Sequence, residues 1–293
     1  MKRILITILV SLALGLSAVE TSGQKKKADC VAAHKEIKTA VECPDDEELA
    51  EKGIKACGEN GCGGSVDKLL NQRKNTDQGD RNTFVDMKFS EVAEIPKCVA
   101  GYTGIGDPRK PLEKAGEGRM VRVVAWALDA RPQQTREDEN GEFPRGESCN
   151  CGFTGVTDVD GGPKNTDVHI VLVDDEILKL KAPAGGGKTA IYNTLKKREA
   201  LSLTAEYTPR VRVKLKEAFD GGKLKKLINP SNGGRLLVRI TGLLMYDSEH
   251  AFKHPLVRQS NWEIHPVFRL EYCPQGNCPE KGKTGWVDIN KEP

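Results

Sequence analysis

Apolar and polar positions alternate with a period of two through much of the second half of the chain. In "TDVHIVLV", Val168, Ile170 and Leu172 share one face, and Asp167 and His169 share the other. In "SLTAEYT", Leu203, Ala205 and Tyr207 oppose Thr204 and Glu206. In "WEIHPVFRL", Trp262, Ile264, Pro266 and Phe268 oppose Glu263 and His265. Two longer β-rich runs, "RMVRVVAWALDA" and "GRLLVRITGLLMYD", complete a set of five predicted strands. Between the third and fourth strands, "RVRVKLKEAFDGGKLKKLI" reads as basic and helical. This order predicts a mainly β protein with an OB-like small Greek-key barrel, another small barrel or sandwich being the second choice.

Upstream, apolar residues recur at helical spacing in "VAAHKEIKTAVE" and "EELAEKGIKA". "SVDKLLNQRKN" adds a third short helix, with Ser65 as its expected N-cap. "DPRKPLEKAGEGR" has the Pro, Gly and charge content of a connector, and the acidic stretch from Arg131 to Asn165 reads as a long loop. "APAGGGKTA" invites a P-loop reading, but Ala182 stands where the first glycine must be, so it is read as a flexible loop before a short helix.

The chain opens "MKRILITILVSLALGLSA": two cations, an uncharged apolar run, then small residues. That is the layout of a secretory signal peptide cleaved after Ser17 or Ala18. The expected organisation is a signal peptide at 1–18, a short cysteine-rich helical region at 19–106 and a linker at 107–118. An OB-like barrel at 119–273 and a tail at 274–293 follow. No later stretch is apolar enough for a bilayer span, so the expectation is an exported protein, periplasmic or extracellular.

Export changes the reading of the nine cysteines. In an oxidising compartment Cys30, Cys43, Cys57, Cys62, Cys98, Cys149, Cys151, Cys273 and Cys278 are disulfide candidates, and their odd number leaves one over. "CPQGNC" suggests a local disulfide closing a turn, whereas Cys149 and Cys151 are too close to bridge each other without strain. Removing Lys2 and Arg3 leaves a net charge of about +1, which argues against a generic nucleic-acid coat. Charge is nevertheless uneven: residues 137–176 carry eleven acids and two bases, residues 196–239 twelve bases and four acids.

Three of the five histidines, His250, His254 and His265, fall within "LLMYDSEHAFKHPLVRQSNWEIHPV". If the strands are neighbours, the outward carboxylates and imidazoles converge on the barrel's polar outer face. Two chemistries follow. Asp167, His169, Asp247, His250 and His265 are candidate ligands for a divalent metal, since imidazole and carboxylate suit Zn²⁺, Mn²⁺ or Fe²⁺. Glu206, Arg210, Arg212, Arg258, Trp262 and Glu263 are candidate ligand-binding residues, the arginine forks matching an anionic polymer or small ligand. There is no G-x-S-x-G, and no catalytic residue is assigned.

"SCNCG", "DVHIVL", "AEYTPRVR", "VRITGLLMYDSEH" and "R-x-x-N-W-E-I-H-P-V", in that order, resemble an uncharacterised family of exported bacterial proteins. Its blocks are C-N-C, D-x-H, E-x-T-P-R-x-R, G-W-L-M-x-D-x-E-H and W-E-I-H-P. "LLNQRKNT" is similar to an upstream block, and Leu243 stands where the pattern has Trp. The resemblance covers roughly residues 65–272 and implies export and a compact β-domain, but no activity. The leading functional reading is a ligand-binding module using the polar outer face of the barrel. The alternatives are a metal-dependent hydrolase, such as a nuclease-like phosphodiesterase with Glu263 or Glu206 as base, and a structural envelope protein with no site on the barrel.

Overall fold

The computed structural model describes residues 42–52, 55–62, 67–76, 79–132, 145–147, 152–154, 167–215, 221–228, 233–250 and 258–291. The expected signal peptide, nearly all of "VAAHKEIKTAVE", Ser65, His254, Cys30, Cys149, Cys151 and most of the acidic stretch lie outside the described residues.

The N-terminal part contributes helices α1 (Asp46–Lys52) and α2 (Lys68–Asn75), a short strand β1 (Val85–Met87), and helices α3 (Phe89–Ala93) and α4 (Lys110–Ala115). Asp67 caps α2, its Oδ1 accepting from the Leu70 amide at 3.1 Å. The expected connector is instead a packed element. Pro111 sits in the first turn of α4, where an N–H is dispensable, Leu112 is fully buried, and Gly116 ends the helix at φ 126°.

Strand β2 (Met120–Pro132) opens the barrel, and a separate hairpin, β3 (Arg145–Glu147) with β4 (Gly152–Thr154), interrupts the acidic stretch. There follow β5 (Val168–Val173), α5 (Asp175–Leu178), α6 (Gly187–Ala200), β6 (Leu203–Tyr207), α7 (Pro209–Leu215) and α8 (Gly221–Leu227). Strands β7 (Leu236–Tyr246), β8 (Trp262–Cys273) and the short β9 (Val287–Asp288) complete the chain. The five long strands pair β2–β5–β6–β8–β7 and back to β2, closing the sheet. All these pairings are antiparallel except β6–β8, which is parallel. Counted along the chain, the barrel order is first-second-third-fifth-fourth, with helices between the third and fourth strands. The OB-like Greek-key expectation thus holds.

Period-two alternation fills the barrel. Val121, Val123, Val168, Ile170, Leu203, Ala205, Ile240, Leu244, Trp262 and Ile264 all belong to the main core. Leu224 and Ile228 join it from the α8 segment. A second, smaller core lies on the outer side of β7 and β8, where Leu70 of α2 and Val211 of α7 meet Leu243, Met245 and Phe268. Phe268 therefore does not share the face of Trp262 and Ile264, as strict alternation predicts. The β7–β8 register shifts on both sides of Gly242: one bulge puts Val267 in the main core and Phe268 outside it, and the other restores the original parity by Leu270. Gly242 allows this crossing: a Cβ there would stand 2.5 Å from the Pro266 carbonyl oxygen.

The predicted tail packs rather than trails. Cys273 and Cys278 form the local disulfide, β9 pairs with β8, and Ile289 reaches the main core. Cys43 and Cys62 form a second disulfide, and Cys57 and Cys98 are also disulfide-bonded. Among the described residues, no helix is long and apolar enough to cross a membrane.

Candidate functional site

Strand pairing sets the first layer of the polar cluster. His169 on β5 lies opposite Glu206 on β6, and the Ala205–Ile264 pairing brings Glu206 beside His265 on β8. The Glu206 carboxylate consequently sits between two imidazoles: His169 Nε2 is 3.1 Å from Oε1, and His265 Nδ1 is 3.1 Å from Oε2. His265 Nδ1 also lies 3.2 Å from Glu263 Oε1, while its Nε2 is 2.7 Å from the Thr208 hydroxyl. Glu263 receives Lys74 Nζ from α2 at 2.7 Å and Arg258 Nη1 at 2.8 Å. The other arm of Arg258 pairs with Asp247, whose Oδ2 also meets His250 Nδ1 at 2.7 Å.

A second network continues from this one into the N-terminal segment. Arg109 donates from Nη1 to Asp67 at 2.7 Å, from Nε to Glu117 at 2.8 Å, and from Nη2 to the Tyr246 carbonyl at 2.7 Å. The Ser248 hydroxyl donates to Asp67 at 2.5 Å, and the Asp67 amide donates to Glu249 at 2.7 Å. Arg73 joins at Glu117. Asp67 thus caps a helix and anchors an arginine at once.

The convergence is enclosed, and here the structure departs from the expected open outer face. Asp167, Glu206, Arg212, Asp247, Glu263 and His265 are all buried. Helices α2 and α7 lie over this side of the barrel, and α2 presents a buried face of Leu70, Asn71, Lys74 and Asn75. Three of those four residues are polar, so an apolar period could not reveal that α2 covers anything. Lys74, Asp67, Arg109 and Glu117 were therefore missed. The one sequence trace of this attachment was the block "LLNQRKNT", which contains Lys74.

Burial raises the cost of charge, and the partners offset it. Burial alone would push the Glu206 carboxyl up, but His169 and His265 hold it well below the usual carboxylate range. The same contest at Asp247 is won by His250, Lys74 and Arg258. At Glu263, burial is outweighed chiefly by Lys74, with Arg258 helping against the repulsion of Glu206 and Asp247. The Asp247 carboxylate lifts the His250 imidazole to about 9.

Of the predicted ligand-binding residues, Glu206, Arg212, Trp262 and Glu263 are buried, Arg258 is engaged by two carboxylates, and Arg210 is half-buried. Trp262 faces the barrel interior, its Nε1 donating to the Pro96 carbonyl at 3.0 Å. Of the predicted metal ligands, Asp167 and His265 come together with Glu206, one ligand atom from each lying within 4.8 Å of the others. His169 adjoins them through Glu206. Asp247 and His250 pair with each other instead.

An open concavity lies elsewhere, on the outer face of β2. There Arg122, Val124 and Trp126 alternate with core positions and line a cleft of about 400 Å³ bounded by β1, α3, α5 and the C-terminal turn. A smaller depression of about 290 Å³ shares Phe89, Ser90, Asp174 and Glu176 with it and runs on to Leu180 and Leu201. The cleft is acidic: Asp86, Glu91, Asp174, Asp175, Glu176 and Glu280 face Lys88, Arg122 and Lys281. Arg122 is held by Asp86 at 2.6 and 2.9 Å, and Trp126 Nε1 donates to Asp175 at 2.7 Å.

No protein-family model matches the chain, no curated protein matches it in sequence, and no solved structure matches it.

Proposed function

We propose that the protein is an exported, non-catalytic binding module that takes a cationic peptide segment in the acidic cleft over β2. The observation that carries this reading is the cleft itself: an extended concavity with a tryptophan at its floor and twice as many acids as bases along its walls. The module uses the barrel's outer face, but along β2 rather than along β5, β6 and β8. An anionic polymer would need Arg258, which instead pairs with Asp247 and Glu263, and Arg212, which is buried. A hydrolase would need an open coordination position at the cluster, and its carboxylates Asp167, Glu206, Asp247 and Glu263 are buried together with His265. Export is supported by the opening segment and by the disulfides.

The test is a titration of Trp126 fluorescence with a lysine decapeptide, a glutamate decapeptide and single-stranded DNA. The lysine peptide is expected to shift the emission and to bind more weakly as salt rises. Combining Asp175→Asn, Glu176→Gln and Glu280→Gln is expected to weaken it by about tenfold or more, or about 1.4 kcal/mol. Preference for the glutamate peptide or DNA, or lysine binding untouched by the triple variant, would overturn the reading.

A further inference from the structure

We infer that Asp167, Glu206 and His265, with His169 beside them, form a buried site for one divalent transition-metal ion that locks β5, β6 and β8 together. The cleft over β2 shares none of these residues, so the two readings stand or fall separately.

Geometry comes first. Zinc-class ions hold nitrogen and oxygen ligands at about 2.0–2.2 Å, which places neighbouring ligand atoms about 3–4 Å apart. His169 Nε2 and His265 Nδ1 each stand 3.1 Å from a different oxygen of Glu206, and one atom from each of Asp167, Glu206 and His265 falls within a 4.8 Å cluster. His169, Glu206 and His265 lie on three strands held in register by the barrel, and Asp167 immediately precedes β5.

Donor chemistry comes second. A set of carboxylates and imidazoles suits Zn²⁺, Mn²⁺, Fe²⁺ or Co²⁺ and is too nitrogen-rich for Mg²⁺ or Ca²⁺. His265 also has the partner expected of a metal-bound imidazole. Its Nε2 lies 2.7 Å from Thr208 Oγ1, so with Nε2–H donating to that hydroxyl, the Nδ1 lone pair is directed at the carboxylates.

Charge comes third. Lys74 and Arg258 serve Glu263 and Asp247, whereas Glu206 is paired with imidazoles. A divalent cation beside Glu206 supplies fixed compensation where the two imidazoles supply titratable charge. Enclosure makes the site structural: Asp167, Glu206 and His265 are each no more than 5% exposed, which leaves little room for a bound substrate.

The experiment uses the full chain, purified from an oxidising compartment without a His-tag or chelator, and probes it with Co²⁺ after dialysis against a chelator. The expected result is about one metal per chain as isolated, visible d–d absorption on adding Co²⁺, and a higher Tm with metal than without. Asp167→Asn and His265→Gln should abolish the Co²⁺ spectrum, and Thr208→Val should weaken binding by about 10–100-fold. His250→Gln, outside the set, should leave spectrum and stoichiometry unchanged. If a ligand variant fails to fold, the wild-type chain still decides the matter. A folded wild type that carries no metal, gives no Co²⁺ spectrum and shows no Tm response to Zn²⁺, Mn²⁺, Fe²⁺ or Co²⁺ would overturn the site and leave protons in its place. A Co²⁺ spectrum that survives both ligand variants would overturn it equally.

Discussion

Arg109 is enclosed on each side that offers a donor, between Asp67, Glu117, Ser248 and the Tyr246 carbonyl. Removing it leaves Asp67 and Glu117 buried without their shared cation, Glu117 keeping only the partly exposed Arg73 as a cationic partner. Arg109→Met is therefore expected to cost about 3–5 kcal/mol in urea unfolding, the range for breaking a buried pair. The exposed Lys52–Glu48 pair offers the contrast: its loss should cost no more than about 0.5 kcal/mol. His250 makes a prediction of a different kind. Its pKa is raised to about 9, mainly by the Asp247 carboxylate, above the ordinary value of 6.5. A raised pKa contributes stability fully below 6.5 and loses it as pH climbs through about 9. Asp247 runs the other way: its contribution is present above 3.8 and lost as pH falls below that value. Melting curves should accordingly show a decline in Tm across the alkaline window in the wild type that His250→Gln lacks. A decline of equal size in both would remove His250 from the explanation.

At the scale of elements, α2 is held by one apolar side chain and several polar ones. Leu70 is fully buried against Val211, Leu243, Met245 and Phe268, so Leu70→Ala should cost about 2–5 kcal/mol by leaving a cavity in that small core. The measurement is equilibrium denaturation, with α2 amide exchange rising alongside. The five barrel strands were legible because an apolar face repeating every two residues has few other uses. Even Trp262 was placed correctly inward by alternation, and its inclusion among surface ligand residues went against that same pattern. The reversal of Phe268 was not legible, because it follows from β8 bulges that Gly242 makes room for and no period encodes them. Strand β1 and helix α3, which wall the cleft, are three and five residues long, too short for a periodic signal.

At the scale of the whole molecule, two kinds of polar surface divide the barrel. One side, where α2 and α7 lie over β7 and β8, is filled with compensated charge that runs on to Glu206 of β6. The other, along β2, is left open as an acidic cleft beside the C-terminal turn. The polar residues that stood out in the sequence belong chiefly to the closed side, because D-x-H and W-E-I-H-P advertise chemistry whether they meet solvent or protein. The cleft drew no notice because Asp86, Glu91, Glu176 and Glu280 are scattered along the chain and meet only through the fold. This division predicts a clear ranking of local stabilities.

Native-state hydrogen exchange resolved by residue tests that ranking most directly. The amides of α2 are expected to exchange only with global unfolding, at the same free energy as those of β8 from Trp262 to Cys273. The amides of α6, a helix with no buried residue, should exchange far faster. Slow exchange shared by α2 and β8 would establish that the carboxylate–imidazole cluster lies inside the cooperative unit. Exchange in α2 as fast as in α6, with β8 still protected, would mean that the helix lifts away and exposes Glu263 and His265, contradicting an enclosed cluster.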